Sequence, residues 1–217
     1  MDRAMTIFTS IFTNRASIFA VGRDISELKS EILRKSIHFL IALVPAIAAM
    51  NKTAAIALLL IGVLGYTLME YLRLAGIRVP VISSIVSMAS RPRDIGKFVM
   101  GPVTLGLGAL LALLLYPSNA AAIAIYALAF GDGLASLVGK FFGKTRPAFL
   151  FGKSIEGSLA CFTGVFASAF AVSGNLHIAF VAAFTAMVVE AMPLEDYDNL
   201  VIPMTVGLAV MFASTAM

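Results

Sequence analysis

The sequence contains a single cysteine and few charged residues. Cys161 lies inside an apolar run, so the chain offers neither a disulfide framework nor a cysteine-based zinc site. Charged residues make up 13% of the chain, whereas soluble domains carry about 25%. Low-complexity linkers and convincing internal repeats are also absent. These absences argue against an ordinary soluble domain and against a disulfide-rich secreted protein.

Apolar residues account for 60% of the 217 residues and gather in long runs, with a mean hydropathy of +0.96. A run of about 18 or more apolar residues with few charges is typical of a helix that spans a bilayer core about 30 Å thick. We therefore predict an all-α, polytopic transmembrane helical bundle of about seven spans, of which the sixth is short. The predicted spans cover residues 33–50, 54–72, 99–116, 120–138, 157–173, 177–190 and 199–216.

The N-terminal segment, residues 1–30, differs from the predicted spans. Between residues 5 and 21, isoleucine and phenylalanine recur at helical spacing, with threonine, asparagine and serine between them. This pattern predicts an amphipathic helix that lies in the membrane interface, with a frayed tail as the alternative. We expect residues 31–217 to form the transmembrane domain and to hold any active site.

Charged residues nearly all fall on one side of the predicted membrane. Of the 16 basic residues, all but Lys52 lie before span 1 or in its first turn, between spans 2 and 3, or between spans 4 and 5. The acidic residues fall on that side too. The positive-inside rule makes this side and the N-terminus cytoplasmic, but the rule is nearly indifferent to acids. The acids therefore predict a protein that works at the cytoplasmic surface of the cell (inner) membrane. A transporter more often places ionisable residues at mid-membrane.

The net charge of +4 raises the question of nucleic acid as a partner. The lysines and arginines flank apolar segments rather than forming a separate basic patch. Such placement is explained by topology and by anionic lipid headgroups. We therefore expect the lipid bilayer, and no nucleic acid, as a partner.

The stretch from residue 131 to 158, GDGLASLVGKFFGKTRPAFLFGKSIEGS, combines glycines, lysines and acids. Glycines let backbone N–H groups approach phosphate oxygens, and lysines neutralise phosphate charge. Carboxylates supply the oxygen ligands that Mg²⁺ prefers. Gly152, Lys153 and Ser154 precede span 5, where a helix N-terminus can bind phosphate. The spacing does not fit a Walker A loop, and a positive-inside loop with packing glycines is the alternative.

This stretch resembles the CTP-binding signature of the membrane polyprenol kinases, a group that includes dolichol, phytol and farnesol kinases and the CTP-dependent diacylglycerol kinase. The matching residues are Asp132, Ala135, Ser136, Gly139, Lys140, Gly143, Lys144, Gly152, Lys153, Ser154, Glu156 and Gly157. The resemblance covers most of residues 31–203. Its further parts are the pattern Glu31-x-x-Arg34-Lys35-x-x-His38, Glu70 with Arg73, the segment 91–94, and the segment 190–199.

The phosphatidate cytidylyltransferases have a similar signature and are related CTP enzymes. That family adds basic residues to a motif near its C-terminus. The corresponding residues 192–203 of this chain, MPLEDYDNLVIP, contain no basic residue. The difference favours the kinase branch of the resemblance.

The resemblance implies transfer of the γ-phosphoryl group of CTP, with Mg²⁺, to the hydroxyl of an isoprenoid or other lipid alcohol. The candidate catalytic residues are Asp132, Asp198, Glu70 and His38. The candidate nucleotide-binding residues are Arg34, Lys35, Arg93, Gly133, Gly139, Lys140, Lys144, Gly152, Lys153, Ser154 and Glu156. The candidate metal ligands are Asp132, Glu190, Asp198 and Asn199.

Each of these roles has a structural alternative. Asp132 could be a charge at a helix end, the lysines could serve topology, and Glu70 could form an ion pair with Arg73. Glu156 could stabilise a helix dipole, and Asp198 could belong to a solvated acidic loop. At the level of function, the alternatives are a cytidylyltransferase that acts on a lipid phosphate and a small transporter or membrane scaffold. The sequence leaves the acceptor, the catalytic base and the oligomeric state open.

Overall fold

The computed structural model describes residues 29–77, 88, 94 and 96–215. Within these ranges the chain forms helices and loops, without a strand, and a helix stands at each of the seven predicted positions. The helices are α1 (Lys29–Met50), α2 (Lys52–Leu74), α3 (Gly101–Leu115), α4 (Ser118–Phe141), α5 (Ile155–Ser173), α6 (Leu176–Glu190) and α7 (Asp198–Thr215). The predicted interfacial helix lies almost entirely outside the described residues.

Five of the helices are long and apolar enough to cross a membrane, namely α1, α2, α4, α5 and α7. The other two, α3 and α6, are apolar and have 15 residues each. To this extent the prediction of an all-α membrane protein is confirmed.

Small side chains fill the interior of the bundle, and large apolar side chains face outward. Ala109, Ala124 and Ala182 are fully buried, whereas Leu64 and Phe212 are mostly exposed. Helices that pack in lipid show this distribution, because small residues allow close approach and the surrounding solvent is itself apolar. The outward faces of the helices are therefore suited to hydrocarbon.

α4 is the central helix of the bundle. It packs against α1, α3, α5, α6 and α7, and it is the most buried of the five long helices. Between Ala127 and Asp132 it widens into a π-helical segment. Such segments are rare and frequently mark functional sites. The segment ends at Asp132, so the irregular turn sets the position of that carboxylate.

Local sequence explains several helix ends. Asn51, Ser154 and Asn175 precede α2, α5 and α6, and each side-chain oxygen accepts a hydrogen bond from a backbone N–H of the first turn. Such N-caps satisfy donors that the helix itself leaves unpaired. Pro45 has no N–H to donate within α1, and the chain tightens into a 3-10 turn at Ile41–Leu43 just before it.

Short links at residues 51, 116–117 and 174–175 reverse the chain between successive helices. The longer links, with most of the charged residues, lie at the opposite end of the bundle. We call this the polar end; it contains the start of α1, α3, α5 and α7 and the end of α2, α4 and α6.

Candidate functional site

A cavity of about 260 Å³ lies at the polar end of the bundle, near the start of α1, α5 and α7 and the end of α4 and α6. Both basic and acidic side chains line it. The charged lining residues are Arg34, Lys35, Asp132, Lys140, Arg146, Lys153, Glu190, Glu195 and Asp198. Ligand sites commonly measure about 300 Å³ or more, so the cavity suits a polyphosphate group better than a whole nucleotide.

Asp132 and Glu190 are the two buried carboxylates of this group, and Asp132 lies within α4. Its side chain is almost fully buried, and Lys35 Nζ donates a hydrogen bond to its Oδ2. A carboxylate at such depth is costly unless a cation or a metal compensates its charge. Lys35, also buried, supplies that compensation from α1.

His38 follows Lys35 by three residues and faces the same carboxylate. Its Nε2 lies 3.0 Å from Oδ2 of Asp132, but the alignment does not make a hydrogen bond. The ring is buried and does not line the cavity. The geometry therefore gives His38 a position behind Asp132 rather than a direct contact with a ligand.

Glu31 connects α1 to the end of α4 through three partners. Its Oε1 accepts hydrogen bonds from Ser136 Oγ and from the Arg34 guanidinium, each at 2.5 Å. Its Oε2 accepts a hydrogen bond of 2.8 Å from Lys140 Nζ. Glu31 thereby fixes two of the basic side chains that line the cavity.

Lys153 and Glu190 join the start of α5 to the end of α6. Lys153 Nζ donates to Glu190 Oε1 at 2.7 Å and also to the backbone carbonyl of Glu190. The second oxygen, Glu190 Oε2, is buried without a hydrogen-bond partner, and so is Ser158 Oγ. Glu190 and Ser158 both line the cavity. Buried polar atoms are nearly always paired, so these two oxygens are available to a polar partner in the cavity.

The loop between α4 and α5 is closed by hydrogen bonds to its own backbone. The Arg146 guanidinium donates to the carbonyls of Gly139 and Gly152 at 2.8 and 2.7 Å. Glu156, in the first turn of α5, accepts hydrogen bonds from the backbone N–H groups of Lys144 and Thr145, both at 3.1 Å. The loop therefore presents a fixed edge to the cavity.

Most of the predicted site residues line this one cavity. They are Arg34, Lys35, Asp132, Gly139, Lys140, Gly152, Lys153, Ser154, Glu190 and Asp198. The other predicted site residues that the structure describes do not line the cavity. They are His38, Glu70, Gly133, Lys144, Glu156 and Asn199. The predicted nucleotide contact Arg93 lies outside the described residues.

Glu70 is held in a different environment. Its carboxylate is fully buried and accepts hydrogen bonds from Arg73 at 2.7 and 2.8 Å and from the backbone N–H of Val99 at 2.9 Å. The predicted alternative, an ion pair with Arg73, is therefore present. These contacts join the end of α2 to the residues just before α3. Glu70 therefore stabilises the packing of α2 and does not line the cavity.

Asn199 and Gly133 serve packing between helices. Asn199 Nδ2 donates a 3.0 Å hydrogen bond to Thr104 Oγ1, and this bond joins α7 to α3. A side chain at Gly133 would collide with the ring of Phe39 on α1. Neither residue lines the cavity, and the roles of Asn199 as a metal ligand and of Gly133 as a nucleotide contact stay predictions.

Lys144 and Glu156 lie at the outer edge of the loop. The Lys144 side chain is exposed, and only its backbone N–H takes part in the contact with Glu156. Glu156 therefore stabilises the start of α5 and the preceding loop, without contact to Lys153. This corresponds to the helix-end alternative for Glu156.

Three lining carboxylates, Asp132, Glu190 and Asp198, provide the hard oxygen donors that suit Mg²⁺. Among the described residues no three side chains of the ligand types histidine, cysteine, aspartate and glutamate converge closely enough to hold a metal by themselves. Asp198 forms no ion pair within the described chain, whereas Lys35 and Lys153 pair with the other two carboxylates. The donor set fits a magnesium ion that shares its coordination with phosphate oxygens.

Three residues of the site have no role in the sequence-based prediction. Glu31 fixes two basic side chains, Arg146 closes the loop, and Ser158 contributes an unpaired hydroxyl. Glu31 belongs to the pattern that extends the resemblance, and its spacing from Arg34 places both residues on one face of α1, but neither signal assigns it a role. Arg146 and Ser158 are recognised only from tertiary contacts.

A comparison of the chain with family models, with curated proteins and with solved structures finds no match. The cavity, the charge pattern of the sequence and the motif resemblance are therefore the features that bear on function.

Proposed function

We propose that the chain is an integral membrane kinase that transfers the γ-phosphoryl group of CTP to the hydroxyl of an isoprenoid or other lipid alcohol. The observation that carries the proposal is the cavity at the polar end, where lysines, arginines and carboxylates meet at the end of an apolar bundle. A phosphoryl transfer site needs this combination, since catalysis there depends on positioning and on neutralisation of charge.

In this proposal all seven helices span the membrane, with the polar end and the N-terminus in the cytoplasm and residues 1–30 in the interface. The clustering of basic residues at one end supports that orientation. α3 and α6 have 15 residues each, about 22 Å at 1.5 Å per residue. A bilayer accommodates spans of this length by local thinning.

The triphosphate of CTP would bind among Arg34, Lys140, Arg146 and Lys153. Lys140 and Lys153 now pair with the carboxylates of Glu31 and Glu190 at 2.8 and 2.7 Å. Phosphate oxygens would replace part of these contacts, because a lysine ammonium has three donors. Asp132 would hold Mg²⁺, which would neutralise charge on the transferred group when it is bound.

The transfer step would form a bond between the acceptor oxygen and the γ-phosphorus and break the bond from that phosphorus to the bridging oxygen of CDP. The proton of the hydroxyl needs an acceptor. Asp198 is the best-placed candidate, since it lines the cavity and makes no ion pair with described residues. CDP and the lipid phosphate would be the products.

The lipid acceptor would keep its chain in hydrocarbon and bring only its hydroxyl to the cavity. The outward faces of the helices are apolar up to the polar end, with exposed side chains such as Leu68 on α2 and Leu159 on α5. A water-soluble acceptor would have no need for so large an apolar surface.

The test uses the purified full chain in lipid vesicles, with Mg²⁺ and CTP labelled at the γ- or the α-phosphate. Lipid alcohols and lipid phosphates are offered as separate panels. We expect label from the γ-position on a lipid alcohol. Label from the α-position on a lipid phosphate, with release of pyrophosphate, would instead identify a cytidylyltransferase. Transfer from neither position would exclude both enzymes and leave the transporter or scaffold.

A further inference from the structure

We propose that the loop between α4 and α5 docks into the headgroup region of the bilayer by inserting phenylalanine side chains. We call residues 141–153 the aromatic loop. It contains phenylalanines whose side chains are exposed and do not pack in the interior of the bundle. They are Phe141, Phe142, Phe149 and Phe151, with exposed fractions of 47, 67, 72 and 66%.

The aromatic loop holds these side chains outward in a defined conformation. Hydrogen bonds from Arg146 to two carbonyls and from the Leu150 N–H to the Pro147 carbonyl, at 3.0 Å, close its backbone. Phe151 adopts a φ of 50°, in the left-handed region that bulky residues rarely occupy. Such strain persists where the surrounding contacts impose it, often for a functional reason. The exposure of the phenylalanines is therefore imposed by the loop.

The charge of the aromatic loop matches an anionic lipid surface. The sequence of residues 141–153, FFGKTRPAFLFGK, contains lysine and arginine but no acid, and Lys144 and Arg146 are exposed. Basic residues among aromatic ones are typical of segments that lie in the headgroup region. The short links at the other end of the bundle, at residues 51, 116–117 and 174–175, contain no basic residue.

The position of the aromatic loop makes a membrane the fitting partner. It continues directly from α4 and into α5, both of which are apolar and long enough to cross a bilayer. Its own residues Arg146, Gly152 and Lys153 line the cavity. Docking would therefore hold the edge of the cavity at the depth of the lipid headgroups. The proposal concerns the loop alone and does not depend on the reaction at the cavity.

The absence of tryptophan from the chain allows a direct test. Single-tryptophan variants Phe149→Trp and Phe151→Trp are placed in vesicles that contain anionic lipid and phosphatidylcholine brominated at a shallow or a deep position of the acyl chain. We expect shallow bromines to remove most of the tryptophan emission and deep bromines to remove less. Iodide in the water should quench both variants weakly.

Two controls define the scale. Phe180→Trp introduces a tryptophan at an outward position within α6, 53% exposed, where deep bromines should quench most strongly. Free N-acetyl-tryptophanamide gives the iodide quenching of full exposure to water. The proposal is overturned if Phe149→Trp and Phe151→Trp are quenched by iodide like the free compound and ignore the brominated lipids. Circular dichroism of each variant verifies that its helices are retained.

Discussion

Lys35 and Asp132 lie 97 positions apart in the sequence, and a buried, hydrogen-bonded ion pair joins them. The pair connects α1 to the last residue of the π-helical segment within α4, the central helix of the bundle. Both side chains also line the cavity. The contact that stabilises the packing of α1 against α4 therefore also positions the candidate site.

Removal of one partner of this pair should destabilise the protein strongly. Asp132→Ala leaves the Lys35 ammonium buried without compensation, which costs about 3–5 kcal/mol. The double variant Lys35→Met with Asp132→Leu replaces the pair by apolar groups and should recover most of that loss. Thermal unfolding in detergent micelles measures both. A double variant as unstable as Asp132→Ala would contradict the ion-pair explanation.

Asp198→Asn tests the proposed acceptor of the proton. The amide keeps the shape of the side chain but cannot take the hydroxyl proton. We expect kcat to fall about 10²- to 10⁴-fold, the usual contribution of general-base catalysis, while the KM for CTP changes little. Steady-state kinetics in lipid vesicles provide the measurement. Asp196→Asn, at an acid that does not line the cavity, is the matched control and should keep most of the activity.

Lys153 and Lys144 follow a glycine in the same way, yet only Lys153 lines the cavity. Lys153→Met should weaken CTP binding about 10- to 150-fold, the equivalent of one charge-assisted hydrogen bond of about 1.5–3 kcal/mol. Lys144→Met should leave binding within a factor of about two, since exposed charges contribute little. Titration calorimetry with CTP and Mg²⁺ compares the variants. Equal losses in both would show that the triphosphate lies elsewhere.

Lys153→Met also leaves Glu190 without its cation, so instability must be separated from lost binding. The double variant Lys153→Met with Glu190→Gln removes the uncompensated charge. We expect it to unfold at a higher temperature than Lys153→Met and still to bind CTP poorly. Restored binding in the double variant would assign the defect to folding.

The positions of the helices could be predicted because apolar runs and caps are local properties of the chain. Each predicted span corresponds to a helix with ends displaced by a few residues. Asn175, for example, is the N-cap of α6, because its Oδ1 accepts hydrogen bonds from the backbone N–H groups of His177 and Ile178. Gly174, in the left-handed conformation that favours glycine, ends α5 just before it.

The selection of site residues could be predicted only in part, because it depends on which way each side chain faces. Glu70 and Glu190 both end apolar helices, and the sequence gives no reason to separate them. In the structure Glu190 lines the cavity, whereas Arg73 and the Val99 N–H hold Glu70 away from it. The π-helical segment before Asp132 also has no sequence signal, since its extra residue per turn follows from packing.

α3 and α7 approach each other closely at Gly108. Pro203 has no N–H to donate to the Asn199 carbonyl four residues earlier, so this carbonyl stays free of its usual helical partner. A Cβ at Gly108 would collide with that carbonyl oxygen and lie 3.1 Å from the Pro203 ring. The crossing therefore requires glycine on α3.

Gly108→Ala should destabilise the protein by about 1–3 kcal/mol, because backbone atoms cannot rotate aside as a side chain can. Gly62→Ala on α2 is the matched control, since a Cβ there meets nothing within 4 Å. It should be neutral or gain up to about 1 kcal/mol from the lower backbone entropy of alanine. Thermal unfolding in the same detergent compares the two. If Gly62→Ala were the more damaging substitution, α3 and α7 could not cross as closely as the structure places them.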